Sequence, residues 1–386
     1  MWMMMIRFFA VIALLMLGGC LPKDWSTITV HELNVDRSIE SELHYGEIYA
    51  FVTIDGSEPL RMLVDTGSPI HSIRERTANR LGLTETGALL LRDYAGNELE
   101  QPRVRVHAMQ LGGFVFEEFD VSVLPDRAGE DVDGVLGMLG LRGYTLVLDF
   151  STGEMALHEE SLNRDDPGVL PFRTTHDTRV LIPFRMLDSA GFEQEYWATL
   201  DTGHNSSLLL HPTSTLNCLD RSELIYRSSA FGAHGIRWVT DFYRPYGPVR
   251  IGGISHEGIT AGANMASNNI GVGMLEGCSV RIDWESKLVQ IVRNDGATRL
   301  VSCESLGFFS IHGDPDGYRA SVIPGSVPEQ LGLTHRQIVT RINGEAVDSR
   351  FDMTQMWPVP ADVVGVKIEY FDPVTGQTGA VVVPID

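Results

Sequence analysis

The sequence predicts a mainly β protein with two pseudo-symmetric lobes and a small α+β domain. Three observations lead to this prediction. Apolar and polar residues alternate in short runs between turn signals, the tripeptide Asp-Thr-Gly occurs at 65–67 and again at 201–203, and the pattern changes after residue 300. Alternation with period two is typical of strands that bury one face. The repeated tripeptide, at the end of an apolar run each time, indicates that the two lobes share one plan.

The composition limits the classes of function. The chain has 386 residues, enough for two or three domains with their own cores. Its net charge of −21 argues against nucleic-acid binding and against a polybasic membrane patch. The cysteines and histidines lack the spacing of metal ligands, so we expect no metal and no cofactor.

The first twenty residues have the features of a signal peptide. Arg7 precedes an apolar run over 8–17, which is short for a membrane span, and Cys20 follows two glycines. This ending resembles the lipobox of bacterial lipoproteins. The resemblance implies that Cys20 is lipidated and tethers the chain to the cell envelope. Leu21, where an Asp would imply retention at the inner membrane, implies the outer membrane, facing the periplasm. An ordinary cleaved secretory peptide is the alternative.

The remaining cysteines are Cys218, Cys278 and Cys303. In an oxidising compartment two of them could form a disulfide, which would leave one thiol free. The sequence does not indicate which two would pair.

The pattern divides the chain into a signal segment (1–20), a leader (21–43) with one strand over 27–33, a first lobe (44–162), a second lobe (163–298) and a C-terminal domain (301–386). Each lobe begins with a predicted hairpin whose second strand ends at Asp-Thr-Gly. Each also contains a later apolar-Gly element. Gly137 follows Asp65 by 72 residues, and Gly273 follows Asp201 by the same distance. We expect these elements to pack beneath the Asp-Thr-Gly loops.

Asp65 and Asp201 are the candidate catalytic residues. Two carboxyl groups a few Å apart cannot both ionise, so the pair holds one proton. The ionised group can take a proton from water while the protonated group polarises a peptide carbonyl. The hydroxyls of Thr66 and Thr202 can cross-link the two strand ends. Gly67 and Gly203 permit a close approach that a side chain would block.

These motifs resemble those of the retropepsin-type aspartic proteases. The duplicated arrangement is similar to the single-chain, bilobal plan of the pepsin-like enzymes, which implies that each lobe is a β-barrel. The resemblance covers about 44–298 and implies polypeptide substrates, catalytic roles for Asp65 and Asp201 and supporting roles for their neighbours. Ser68 fits the family pattern. His204 departs from it, since a small residue is usual there, and its ring could crowd the site or favour the ionised form of the pair.

Several other residues have weaker patterns. The turns at 93–97 and 231–235 have the composition of flaps that close over a substrate, and equally of ordinary hairpin turns. Asp149 and Asp283 recur in the two lobes, and we interpret them as hairpin structure. Five scattered histidines are interpreted as solvated or structural: His71, His107, His176, His211 and His234.

The C-terminal segment resembles a PDZ domain of the bacterial envelope type. The resemblance rests on a Leu-Gly-Phe loop, on the stretch over 322–333 and on the Ile-Asn-Gly strand over 338–347. It implies that peptide C-termini or extended strands bind at Leu306, Gly307, Phe308 and Phe309. Arg336 and Gln337 replace the usual Gly-Asp, which we expect to loosen the local turn.

The leading hypothesis is therefore a monomeric, envelope-anchored aspartic endopeptidase with a peptide-binding domain. One alternative is a catalytically weak or inactive peptide-binding scaffold of the same fold. In another, the lobes of two chains would pair. Two motifs in one chain make that pairing unnecessary, because the carboxyl pair can form within the chain.

Overall fold

The computed structural model describes residues 28–32, 37–44, 46–92, 98–126, 131–175, 179–204, 206–222, 224–231, 237–263, 265–294, 299–302, 308–314, 317–322, 326–334, 337–347, 356–359 and 364–384. Within these ranges the chain is mainly β, as predicted, with 34 strands and three short α-helices. None of the helices found there is long and apolar enough to span a membrane.

The first lobe is built around one large sheet. Its elements are β1 (Thr29–Glu32), β2 (Ser38–Ile39), β3 (Ser41–His44), β4 (Glu47–Ile54), β5 (Leu60–Val64), β6 (Ser72–Arg74), α1 (Glu75–Leu81), β7 (Glu85–Arg92), β8 (Glu98–Leu111), β9 (Phe114–Leu124), β10 (Gly134–Leu136), β11 (Thr145–Asp149) and β12 (Met155–His158). The large sheet has the order β1-β9-β6-β10-β5-β4-β8-β7, and β3 pairs with β4. At its centre β10 runs parallel to β5 and antiparallel to β6.

The predicted first hairpin is formed by β4 and β5, with the turn at Asp55 and Gly56. Both turn residues adopt positive φ, 50° and 79° respectively, a conformation that Gly, Asn and Asp tolerate best. The strand predicted over 27–33 is β1, which pairs with β9. The leader also contains β2 and β3, which the sequence analysis did not predict because runs of two and four residues give too little alternation to recognise.

The second lobe repeats this plan. Its elements are β13 (Val169–Pro171), β14 (Arg173–Thr174), β15 (Val180–Leu187), β16 (Glu193–Leu200), β17 (Leu208–Leu209), α2 (Pro212–Cys218), β18 (Leu219–Asp220), β19 (Tyr226–Phe231), β20 (Arg237–Pro245), β21 (Val249–Ile251), β22 (Ile254–His256), β23 (Ala261–Gly262), β24 (Asn269–Ile270), β25 (Cys278–Asp283) and β26 (Leu288–Arg293). Its sheet has the order β18-β20-β23-β17-β24-β16-β15-β21-β22. Here β24 runs parallel to β16 and antiparallel to β17, as β10 does between β5 and β6.

The predicted hairpin of the second lobe is formed by β15 and β16. In β15 the side chains of Val180, Ile182, Phe184 and Met186 are buried and alternate with more exposed residues. This is the period-two burial that the sequence predicts for a strand with one face on a core.

A third sheet joins the two lobes. Its order is β13-β26-β25-β11-β12-β2, so each lobe contributes strands to it. The central pair, β11 and β25, is antiparallel, with Thr145 opposite Asp283 and Asp149 opposite Ser279. Because Asp149 and Asp283 recur at matching places in the two lobes, this register is pseudo-two-fold symmetric.

Asp149 and Asp283 close the turns that follow these two strands. Oδ1 of Asp149 accepts hydrogen bonds from the backbone of Ser151 and Thr152. Oδ1 of Asp283 accepts the N–H groups of Glu285 and Ser286 at 3.0 and 3.1 Å, and its Oδ2 accepts the N–H of Leu162 at 2.9 Å. Burial disfavours the ionised form of Asp283, but hydrogen bonds from Ser286, Leu162 and Glu285 outweigh burial and lower its pKa. Both aspartates have the structural role that the sequence indicated.

The C-terminal domain has a sheet of its own. Its elements are β27 (Arg299–Ser302), β28 (Phe308–Asp314), β29 (Gly317–Val322), α3 (Val327–Gln330), β30 (Ile338–Ile342), β31 (Glu345–Ala346), β32 (Met356–Val359), β33 (Gly365–Asp372) and β34 (Gln377–Pro384). The sheet has the order β28-β29-β30-β33-β34, β31 pairs with β30, and β27 pairs with β32. In the described part of the sheet β28 is an edge strand.

The turn before β30 is closed by Gln337, where we expected looser packing. The backbone N–H of Gln337 donates to the carbonyl of Thr334 at 3.1 Å. In return, Oε1 of Gln337 accepts the N–H of Thr334 at 2.9 Å. The expectation was wrong at this residue, because the longer amide side chain reaches the backbone and supplies a second hydrogen bond. Arg336 lies outside the described residues.

The thiols of Cys218 and Cys278 are free and buried. Burial raises the pKa of each, so both are held as neutral thiols. They do not form the disulfide that the sequence left open between them, and Cys303 lies outside the described residues.

Candidate active site

Asp65 and Asp201 directly follow the central strands of the two lobes. Asp65 comes after β5, and its N–H donates to the carbonyl of Leu136 in β10 at 3.0 Å. Asp201 comes after β16, and its N–H donates to the carbonyl of Ile270 in β24 at 2.9 Å. Each Asp therefore leaves its sheet at the same point, where a parallel partner strand holds the backbone.

The two strand ends are cross-linked by Thr66 and Thr202. The hydroxyl of Thr66 donates to the carbonyl of Leu200 at 2.6 Å and accepts the N–H of Thr202 at 3.1 Å. The hydroxyl of Thr202 donates to the carbonyl of Val64 at 2.7 Å and accepts the N–H of Thr66 at 3.0 Å. Both threonines are fully buried. These four hydrogen bonds form the cross-link that the sequence predicted.

The cross-link brings the two carboxyl groups together. The carboxyl group of Asp201 lies close enough to that of Asp65 to raise the pKa of Asp65. The carboxyl group of Asp65 also packs on the backbone of Gly203, so close that a Cβ at 203 would lie 2.4 Å from Cγ of Asp65. Real Cβ atoms do not approach other atoms so closely. Glycine at position 203 is therefore a condition for the contact between the carboxyl groups.

The backbone of each loop holds its own carboxyl group. Oδ1 of Asp65 accepts the N–H groups of Gly67 and Ser68 at 2.8 and 3.1 Å. Oδ1 of Asp201 accepts the N–H of Gly203 at 3.1 Å. Burial, the charge of Asp201 and the hydrogen bond to Asp201 raise the pKa of Asp65 well above its ordinary value, although the two backbone N–H groups oppose this shift. The pair therefore keeps a proton at pH values at which an ordinary Asp has lost its own.

The apolar-Gly elements lie beneath the loops, but the second one was assigned two residues too late. In the first lobe, a Cβ on Gly137 would lie 2.1 Å from the carbonyl oxygen of Ile70. In the second lobe the same tight contact belongs to Gly271, whose Cβ would lie 2.0 Å from the carbonyl oxygen of Ser206. Gly271, and not Gly273, is therefore the counterpart of Gly137.

Matching backbone hydrogen bonds lead to the same pairing. The N–H of Met138 donates to the carbonyl of Ser68, and the N–H of Val272 donates to the carbonyl of His204. The equal spacing of 72 residues in the two lobes was therefore coincidental. In the second lobe it was counted to Gly273, which also begins a Gly-Met-Leu run but lies two residues after the structural glycine, Gly271.

This correction reveals a residue that the sequence analysis missed. With Gly271 opposite Gly137, the counterpart of Val135 in the strand beneath the loop is Asn269. Nδ2 of Asn269 donates to Oδ2 of Asp201 at 2.6 Å, and both residues are 1% exposed. An amide inside an apolar strand is a recognisable signal, but it becomes visible only when the two strands are aligned correctly.

His204 does not bond to either carboxyl group through its ring. Its Nε2 is 2.5 Å from Oγ of Ser206, and its Cδ2 lies against Gly271. Burial lowers the pKa of His204, and the charge of Asp201 opposes that shift only partly. The ring is therefore neutral at neutral pH, and it lies beside the loop that carries Asp201. Ser68, its counterpart in the first lobe, donates its hydroxyl to the carbonyl of Ile70.

The other histidines that can be described have local roles. His71 is buried with its ring edge-on to Phe116 and Phe119, and burial lowers its pKa to about 4. Nδ1 of His107 contacts Glu118, and Nδ1 of His211 contacts Thr213. Within the described ranges no group of three His, Cys, Asp or Glu side chains could hold a metal ion.

Several predicted sites lie outside the described residues. These are the flap turn at 93–97, residues 232–235 of the second flap turn, His176, Cys20, Leu306 and Gly307. The strands that flank each flap turn do pair as predicted, β7 with β8 and β19 with β20. The backbones of Phe308 and Phe309 are part of β28.

The cross-link predicts a cooperative loss of stability. Thr66→Val and Thr202→Val should each lower the free energy of unfolding by about 2 kcal/mol, because each leaves a buried N–H and a buried carbonyl unpaired. The double variant should cost less than the sum, since losing one hydroxyl lets the strand ends separate and weakens the other's hydrogen bonds. Urea unfolding of the four proteins measures this coupling.

Thr145→Val is the matched control, since its buried hydroxyl donates to the carbonyl of Glu160 within the first lobe. In the double variant of Thr145→Val and Thr66→Val, the loss in the free energy of unfolding should equal the sum of the two single losses. Additive losses for the Thr66 and Thr202 pair as well would contradict a shared cross-link.

Comparison with known proteins adds one finding. A search of curated proteins gave no match to this chain. Residues 50–139, which include Asp65, Thr66 and the apolar-Gly element at Gly137, match the profile of the aspartyl protease family. The part of the first lobe that positions Asp65 is thus similar to an aspartyl protease domain, which supports a peptidase activity.

Proposed function

We propose that the protein is an aspartic endopeptidase in which water, activated between Asp65 and Asp201, hydrolyses a peptide bond. The observation that carries this proposal is the contact between the two carboxyl groups. The carboxyl group of Asp65 packs on the Asp201 loop at Gly203, and the buried cross-link of Thr66 and Thr202 holds the two loops together. Buried carboxyl pairs of this kind are costly, and they are typical of sites that transfer protons.

The pair supplies both groups that the hydrolysis needs. The ionised carboxylate takes a proton from water as the water oxygen bonds to the carbonyl carbon. The protonated carboxyl group gives its proton to the carbonyl oxygen, and a tetrahedral diol forms. One diol hydroxyl then gives a proton to the carboxylate that protonated the carbonyl oxygen. The other carboxyl group gives the nitrogen the proton that it took from water, and the C–N bond breaks. The carboxylic acid and the amine leave, and the pair again holds one proton.

The proposal also extends to the second lobe, which lies outside the family match. Its loop repeats the hydrogen bonds of the first loop at Asp201, Gly203 and Gly271. We infer that the two lobes arose by duplication and that one chain contains a complete site. The protein would then act as a monomer.

Replacing either carboxyl group tests the activity. Asp65→Asn and Asp201→Asn should each reduce cleavage of a denatured protein by at least about a thousandfold, because Asn keeps the shape but cannot exchange the shared proton. Asp188→Asn, in an exposed turn of the second lobe, is the control and should cleave like the wild type. Near-normal cleavage by either site variant would favour the peptide-binding scaffold instead.

The wild-type pH profile belongs to the same experiment. The pair is active while it holds one proton, and burial and the charge of Asp201 raise the pKa of Asp65. Activity should therefore persist above the ordinary pKa of Asp and disappear as the pH rises through the raised value. A profile that falls at the ordinary pKa of Asp would contradict this role for the pair.

We propose that the C-terminal domain is a PDZ domain that recruits substrates or partners. An extended peptide would add as a strand beside Phe308 and Phe309, with its carboxylate near Leu306 and Gly307. The support is that β28 is an edge strand in the described part of its sheet, where backbone groups can pair with an added strand.

Peptide binding to the full chain tests this domain. Asp65→Asn protein, which should not cleave the probe, is titrated with a fluorescent peptide carrying an apolar, free C-terminus. The same peptide with an amidated C-terminus is the control and should bind at least about tenfold more weakly, because the charge-assisted hydrogen bonds to the carboxylate are lost. Equal binding of the two peptides would exclude carboxylate capture.

We also propose that the chain is a lipoprotein of the bacterial envelope, anchored through Cys20 and facing the periplasm. Cys20→Ser should release the protein from the membrane fraction or leave it as an unprocessed precursor, since the proposed anchor is a lipid. Cell fractionation and mass spectrometry of the N-terminus measure this. A correctly processed Cys20→Ser protein that stayed in the membrane would disprove the anchor.

A further inference from the structure

The two carboxyl groups are hydrogen-bonded differently. Both backbone N–H groups that reach Asp65, those of Gly67 and Ser68, donate to its Oδ1. In the second lobe, Nδ2 of Asn269 donates to Oδ2 of Asp201 at 2.6 Å. The counterpart in the first lobe is Val135, which has no polar group to offer Asp65. Asp201 thus accepts an N–H of its own loop on Oδ1 and a side-chain N–H on Oδ2.

Asn269 is held firmly in this position. In β24 it lies between Thr199 of β16 and Leu209 of β17, so strands pair with it on both sides. Its neighbour Asn268 holds the same strand in place through two side-chain hydrogen bonds. Nδ2 of Asn268 donates to the carbonyl of Trp197 at 3.0 Å, and Oδ1 accepts the N–H of His211 at 2.8 Å.

The amide of Asn269 shows a second unusual feature. Its Oδ1 is buried and accepts no hydrogen bond in the described structure. An unpaired buried acceptor is unfavourable, and a well-packed apolar residue would avoid that cost. The hydrogen bond from Nδ2 to Asp201 compensates for the cost of this unpaired oxygen.

The direction of this hydrogen bond is linked to the charge of Asp201. An amide N–H donates, so the oxygen that it faces must carry a free lone pair. If Oδ2 of Asp201 held a proton towards Asn269, the amide would have to turn and present its oxygen instead. Donation by Nδ2 therefore favours the carboxylate form of Asp201.

We propose that Asn269 is a positioning residue that holds Asp201 as the ionised member of the pair and so assigns the resting proton to Asp65. This proposal rests on the proposed peptidase function. Asp201 is then the group that takes the proton from water, and Asp65 is the group that polarises the substrate carbonyl. Asn269 does not touch the reacting atoms and acts through Asp201.

The charged and titratable neighbours are consistent with this assignment. Asp65 faces Asp201 from the first lobe, and two negative charges there would repel each other, so one carboxyl group keeps its proton. His204 faces Asp201 from its own loop, and burial keeps its ring neutral at neutral pH. Neither neighbour supplies a full positive charge at that pH, and the hydrogen bonds from Gly203 and Asn269 support the carboxylate.

The test compares two variants that remove the donor with one that removes the neighbouring amide. Asn269→Val copies the first lobe, and Asn269→Leu keeps the approximate size of Asn. In both, the acid limb of the kcat/KM profile for peptide cleavage should move up by about one pH unit, as expected when a hydrogen bond to a charged group is lost. Asn268→Ala, which loosens the same strand without touching Asp201, should leave that limb in place.

A second measurement does not depend on activity. In protein labelled with ¹³C at the Asp carboxyl carbons, the lower of the two apparent pKa values of the pair should rise by the same amount in both Asn269 variants. Asp65→Asn and Asp201→Asn identify the two signals. If the wild type cleaves nothing, the proposed function fails, and this titration still decides the role of Asn269.

The outcomes separate clearly. A rise of the lower pKa in either folded Asn269 variant, with no rise in Asn268→Ala, supports the proposal. If the lower of the two apparent pKa values stays within about 0.2 units of its wild-type value in a folded Asn269 variant, the proposal is overturned. An equal rise in Asn268→Ala would also overturn it, because the effect would then come from the strand and not from the donor. Failure of both Asn269 variants to fold, as seen by circular dichroism, would reject the proposal in favour of a structural role.

Discussion

Four buried hydrogen bonds made by the hydroxyls of Thr66 and Thr202 hold together the ends of the two central strands, and the candidate site depends on them. Each lobe alone positions one Asp at the end of a strand, against the parallel strand β10 or β24. The cross-link then sets the separation of the two carboxyl groups. Gly203 permits their contact, since its missing side chain leaves room for the carboxyl group of Asp65. The inter-lobe sheet, in which β11 pairs with β25, also holds the two lobes in their relative position.

The two carboxyl groups lie at matching places in their lobes, but the hydrogen bonds that they accept differ. Burial and the neighbouring charge of Asp201 raise the pKa of Asp65, so the pair retains one proton over a wider pH range. Asn269 contacts Asp201, and His204 replaces the Ser68 of the other loop. A pair assembled from two identical lobes would have to break its symmetry when the substrate binds. Here the chain itself supplies the difference, because the residues beneath and beside the second loop differ from those of the first.

Much of this arrangement could be predicted from the sequence, and the failures have physical reasons. The paired Asp-Thr-Gly motifs and the hairpins that lead to them are local patterns, so the positions of Asp65, Thr66, Asp201 and Thr202 followed from the sequence. The contact made by Gly271 could not be identified, because a three-dimensional approach to Ser206 distinguishes it from Gly273. Asn269 was missed for the same reason. The short strands β2 and β3 depend on partners distant in sequence, so no local periodicity indicated them.

The central claim is that one chain brings two carboxyl groups together around a single shared proton. Neutron diffraction from deuterium-exchanged crystals of the free protein at mildly acidic pH tests it most directly, because deuterium positions become visible. We expect carboxyl oxygens of Asp65 and Asp201 within hydrogen-bonding distance and one deuteron, bonded to Asp65, between them. Carboxyl groups separated by more than about 8 Å, or close together with no deuteron on either, would contradict it.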